Sequence, residues 1–111
     1  MQINISARHG HLSEKTRAKI TPKMEKLSRL FERLTAIDLT VDLEHPDDPV
    51  VDLKVSAEHK HDFNATDQSG DLMTSIDNVI HKLEQQLRKY KEKVQERHRS
   101  PASKQTQEER E

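Results

Sequence analysis

The residues able to do chemistry in this chain are mostly cations at helical spacing. At about 100° per residue, Lys15, Lys19, Lys26, Arg29 and Arg33 cluster on one side of a predicted helix. Lys82, Lys89 and Lys93 share a flank of a second predicted helix, with Asp77, Glu84 and Glu92 toward its other flank. Such stripes can neutralise phosphate oxygens; taken singly, each also serves as the solvated face of an amphipathic helix. His59-x-His61 has the spacing of a metal ligand pair, and His9 and His11 repeat it. Neither pair has a third ligand legible in the sequence, and the first sits in a predicted turn. Asp38, Asp42, Glu44, Asp52, Glu58 and Asp62 could hold a cation, but read more simply as a solvated sheet face. The chain has two glycines, no Gly-x-Ser-x-Gly elbow and no Gly-rich phosphate loop. The expectation is a binding protein without catalysis, metal or cofactor.

Composition agrees. The length of 111 residues predicts one domain, and 31% hydrophobic residues is low for a globular chain. Gln95 to Glu111 contain a single hydrophobic residue, Ala102, so the core must come from the first 94 residues. We expect a folded domain over 1–98 and a disordered tail over 99–111. The absence of Cys excludes a disulfide scaffold, a thiolate zinc site and a thiol nucleophile. No apolar run approaches the roughly 18 residues of a membrane span, and the N-terminus lacks the form of a signal peptide. A soluble cytoplasmic protein is expected. The net charge of −1 conceals a division. Residues 13–35 carry seven basic and three acidic groups, 36–78 two basic and eleven acidic, and 79–99 seven basic and three acidic.

The elements follow from periodicity. Ile3, Ile5 and Ala7 alternate as on a half-buried strand. Ser13 caps a helix whose apolar face is Ile20, Met24, Leu27, Phe31 and Leu34. Pro22 predicts a kink near Ile20–Thr21, or a helix restarted with Pro22 in its first turn. Ile37, Leu39, Val41 and Leu43 define a second strand; His45 to Pro49 form a turn; Val51, Leu53, Val55 and Ala57 define a third strand. A reversal near His59–His61 leads to a short fourth strand with Phe63 and Ala65. Asp71 caps the last helix, whose stripe is Leu72, Ile76, Ile80, Leu83, Leu87, Tyr90 and Val94. The string β-α-β-β-β-α with one apolar sheet face predicts an α+β two-layer sandwich. Its four-stranded mixed sheet carries both helices on one face, and the first two strands are parallel.

With both helices on one face, their basic stripes can merge into one positive surface backed by an acidic sheet. That polarity suits a phosphate backbone. Aromatics are scarce, and Phe31 and Phe63 read as core, so base stacking on the sheet is not the expected mode. Helix-borne binding to structured RNA fits better.

Several segments resemble the ribosome hibernation promoting factor family, which includes the protein Y type of ribosome-associated inhibitor. They are Met1-Gln2-Ile3-Asn4-Ile5, then Leu12-Ser13-Glu14 with Arg17, Lys23, Lys26-Leu27 and Phe31. Asp71-Leu72-Met73-Thr74-Ser75-Ile76-Asp77, running on to Lys89, completes the likeness. It covers about residues 1–95. It implies a fold like a double-stranded RNA-binding domain. It implies binding to the small ribosomal subunit and the intact ribosome in the decoding channel, where messenger and transfer RNA are occluded and translation stops under stress or in stationary phase. Carried over by position, the RNA contacts would be Arg17, Lys23 and Lys26 on the first helix, and Lys82, Lys89 and Lys93 on the second. Arg88 would compensate for Gln85, which stands where the family often has Arg. Met73 replaces the signature Tyr, and Pro22 replaces an ordinary helix former. At 111 residues a short form is expected, monomeric off the ribosome. The rival readings are a general structured-RNA binder, and a protein-interaction module docking an acidic partner.

Overall fold

The computed structural model describes residues 1–58 and 61–97, with side chains as far as Glu92. The elements are β1 (Gln2–Arg8), α1 (Glu14–Leu30), β2 (Leu34–Asp42), β3 (Val50–Ala57), β4 (His61–Gln68) and α2 (Leu72–Arg97). The strands lie in chain order in one sheet, β1-β2-β3-β4. β1 runs parallel to β2, with Ile3 opposite Ile37 and Ile5 opposite Leu39; the other pairs are antiparallel. This is the expected α+β sandwich with a mixed sheet.

Alternation decides which face is covered. Ile37, Leu39 and Val41 of β2, and Val51, Leu53 and Val55 of β3, are fully buried. Ile20, Met24 and Leu27 of α1 and Ile76, Val79, Leu83 and Leu87 of α2 close over them. The α2 stripe is turned slightly from the sequence reading: Val79 is fully buried, whereas Ile80 is only half-buried. Among the described residues no second layer covers the opposite sheet face, which satisfies itself across strands. Asn4 donates to Asp38 at 2.8 Å, and Thr66 to Asp52 at 2.9 Å. By register this face holds Asp38, Asp42, Asp52 and Asp62 against Arg8 and Lys54. It is therefore less acidic than the charge of segment 36–78 suggests, because Asp67, Asp71 and Asp77 fall elsewhere.

Both helix starts are as the sequence predicts. The Ser13 hydroxyl accepts from the Thr16 amide at 3.1 Å, and Asp71 accepts from the Thr74 amide at 2.9 Å. Of the two forms expected around Pro22, the restarted helix is not found: α1 is one helix from Glu14 to Leu30 with the proline inside it. The N–H that proline lacks would bond the Ala18 carbonyl one turn back. Ala18 and Pro22 both lie on the exposed side, where water can replace that bond. β2 stops one residue short of Leu43, whose amide turns to donate to the Arg8 carbonyl at 2.8 Å. Leu43 also explains Gly10, since a Cβ there would approach Leu43 Cδ1 to 3.0 Å. β4 is eight residues long, as long as β3, and not short; His61 is its first residue. His59 and Lys60, the rest of the predicted reversal, lie outside the described residues, as does the 99–111 tail.

Candidate nucleic-acid interface

Each helix presents one flank to its neighbour helix and one to a sheet edge, and this division sorts the cations. On α1, Lys23 and Lys26 face α2 across an open groove also lined by Leu27, Asp77, Ile80, His81 and Glu84. Lys23 Nζ donates to Asp77 Oδ1 at 2.8 Å, an ion pair that joins the helices. Lys26 is exposed and has no ion-pair partner among the described residues. Arg17 points the other way, and its guanidinium donates to the Ile5 carbonyl of β1 at 2.8 Å.

The α2 flank facing α1 is the acidic one, with Asp77 and Glu84. Its other flank overhangs β4. There Lys82 Nζ donates to the Thr66 carbonyl at 2.8 Å and to Asp67 at 3.2 Å, while Asn78 donates to Asp67 at 3.0 Å. The Asn78 and Lys82 donors hold the Asp67 carboxyl below its ordinary pKa. Arg88 and Lys89 are exposed, without hydrogen-bond or ion-pair partners among the described residues. Lys93 continues the same helix, but its side chain lies outside the described residues.

The two basic stripes therefore do not merge directly. The acidic flank of α2 stands between the Lys23–Lys26 side of α1 and the Lys82–Lys89 side of α2. The charges alternate across the helix layer as basic, acidic, basic. Of the seven residues singled out by sequence, Lys26, Arg88 and Lys89 present unengaged charge, whereas Arg17, Lys23 and Lys82 are tied to partners within the fold. Sequence reasoning missed Gln86, whose side chain donates to the Asn64 carbonyl at 3.0 Å beside Lys82. Its position four residues after Lys82 was the available signal.

The aromatics lock α2 to β4. Tyr90 packs on His61 with ring centroids 4.6 Å apart and meets Phe63 edge-on at 5.4 Å. His61 is thereby part of a packing contact. His9 lies not with His11 but with Asp42 and Glu44, their donor atoms within 4.8 Å of one another. Asp42 accepts from His9 Nδ1 at 2.9 Å and from the Glu44 amide at 3.0 Å, and both bonds lower its pKa. All three residues are at least partly exposed, and the cluster is accounted for as a hydrogen-bonded corner where β1 and β2 end.

The sheet order, the helix layer on one face and the cations on that layer define a class: small α+β sandwiches with exposed cations on a helical face. The family model described as Sigma 54 modulation protein / S30EA ribosomal protein matches residues 3–95, and the chain belongs to that family. A curated relative, the ribosome hibernation promoting factor of Escherichia coli K12, is 28% identical over 99 residues, covering 86% of this chain and 99% of the relative. The factor of the same name from Pseudomonas putida KT2440 is 26% identical, covering 86% and 91%. Among solved structures, a ribosomal subunit interface protein from Coxiella burnetii aligns with a TM-score of 0.67 at 26% identity, over 82% of this chain and 98% of that one. The N-terminal domain of Thermus thermophilus Protein Y aligns with a TM-score of 0.70 at 18% identity, over 81% and 99%, a likeness of fold.

Proposed function

We propose that this chain is a ribosome hibernation factor. It binds the small ribosomal subunit in the decoding channel through its helix layer, occludes messenger and transfer RNA, and so inhibits translation in the cytoplasm without catalysing a reaction. The observation that carries the reading is family membership over nearly the whole folded domain, with relatives of matching length named for ribosome hibernation. The geometry supports it, because Lys26, Arg88 and Lys89 stand exposed on the helix layer. Arg17, Lys23, Lys82 and Lys93 complete the proposed contact set, the first three by exchanging internal partners for phosphate oxygens. No helix among the described residues is long and apolar enough to cross a membrane.

Co-sedimentation with ribosomes and separated subunits across a salt series tests this. Near-stoichiometric binding to the small subunit and the intact ribosome is expected. If about five phosphates are neutralised, the log–log salt slope is roughly −3 to −5. Messenger and transfer RNA should compete. Equal affinity for an arbitrary RNA duplex would replace the proposal with general RNA binding. No binding at low salt would overturn it.

A further inference from the structure

The sheet has two outer strands, β1 and β4. An unpaired strand edge is a template for another strand, and proteins usually blunt it with Lys, Pro, a bulge or a covering element. Neither β1 (QINISAR) nor β4 (HDFNATDQ) contains Lys or Pro, and their own charges are few, Arg8 at the end of β1 and Asp62 and Asp67 on β4. Both are met instead by side chains reaching over from the helices.

On β4, Lys82 donates to the Thr66 carbonyl at 2.8 Å and Gln86 to the Asn64 carbonyl at 3.0 Å. Asn64 and Thr66 are two residues apart and so point the same way along the strand. Lys82 and Gln86 are one helical turn apart. Four helical residues rise about 6 Å and two strand residues about 6.8 Å, so the two donors fit two successive carbonyls. On β1, Arg17 donates to the Ile5 carbonyl at 2.8 Å.

We infer that Lys82 and Gln86 on one edge, and Arg17 on the other, are edge guards that stop the sheet from pairing with a second copy of this chain. The β4 edge is the more consequential: it is eight residues long, paired with β3 throughout its length, and closed by two adjacent donors. The occupant excluded is another β4, because the same unpaired row recurs on every copy and two such rows satisfy each other's backbone groups. This role is separate from RNA binding, although Arg17 and Lys82 are also in the proposed contact set, and it is tested without RNA.

The experiment is sedimentation velocity over a concentration series, with amide hydrogen exchange at Asn64 and Thr66. The proteins are the wild type, the double variant Lys82→Ala/Gln86→Ala, the donor-retaining Lys82→Arg, and Lys89→Ala as a charge control. Wild type, Lys82→Arg and Lys89→Ala should sediment independently of concentration. The double variant should form dimers at about tens of micromolar, with exchange at Asn64 and Thr66 slowed about tenfold in the dimer. A double variant that keeps the wild-type circular dichroism and remains monomeric throughout overturns the inference. Should the double variant misfold, Gln86→Ala alone, which changes no charge, carries the same expectation and the same refutation.

Discussion

Lys23 of α1 and Asp77 of α2 meet at 2.8 Å, an ion pair that ties the two helices at the groove proposed to face RNA. Both partners are partly exposed, so the pair contributes little to stability, but it sets the field at the groove. A phosphate approaching Lys23 must displace Asp77. Asp77→Asn should therefore raise ribosome affinity about two- to fivefold at low salt and change stability by less than about 1 kcal/mol. The gain should shrink as salt rises. Titration of labelled protein with small subunits reads it; weaker binding would mean that Asp77 holds Lys23 in its binding position.

Lys82 and Lys89 share a flank, but only Lys82 is also tied into the fold. Glutamate at 82 places a carboxylate beside Asp67 and removes the donor to the Thr66 carbonyl. Lys82→Glu should cost about 1 kcal/mol or more in urea unfolding, whereas Lys89→Glu should stay within about 0.5 kcal/mol. Lys89→Glu is thus the cleaner probe of binding, and we expect it, with Lys26→Glu and Arg88→Glu, to abolish co-sedimentation while leaving the circular dichroism unchanged.

Acid should unfold the domain through carboxylates tied by hydrogen bonds. Asp42 is bonded by His9 and the Glu44 amide, Asp67 by Asn78 and Lys82, and Asp71 by the Thr74 hydroxyl and amide; all three are held below the ordinary value of 3.8. A lowered folded-state pKa stabilises the fold above the unfolded value, and that stability is lost as pH falls through the folded one. Urea midpoints should be level from pH 7 to about 5 and drop below about pH 4. Asp71→Asn keeps a capping side chain but cannot titrate there, so its acid limb should be shallower. An unchanged limb would exclude Asp71 from the acid response.

Pro22 costs α1 a backbone bond without giving an evident contact in return, since it is exposed. Pro22→Ala should stabilise the domain by about 1–3 kcal/mol. Ribosome affinity should stay the same if the groove needs only the positions of Lys23 and Lys26. Reduced affinity with raised stability would show that the proline shapes the groove.

Much of this was legible in the chain. Alternation through Ile37–Val41 and Val51–Val55 named the covered face, and Ser13 and Asp71 marked both helix starts, because those signals are local. The run to Leu43 overshot β2, since alternation does not record where pairing stops; the Leu43 bond to Arg8 does that. The helical wheels put Asp77 and Lys82 on opposite flanks of α2. They could not say that one flank faces Lys23 and the other overhangs β4, because that depends on strand order and on which edge each helix covers. For the same reason Arg17 and Lys82 read as free cations until the outer strands were placed.

The parallel pairing of β1 with β2 also bears on how the molecule assembles. Gln2 must find Ala36, with the whole of α1 in between, whereas β2, β3 and β4 are joined by neighbouring segments. Contacts close in sequence cost less chain entropy to form. The three-stranded meander is thus the part able to organise first, and the N-terminal strand the part fitted last. During synthesis β1 leaves the exit tunnel before its partner strand does. It must wait, unpaired, until β2 has followed it out.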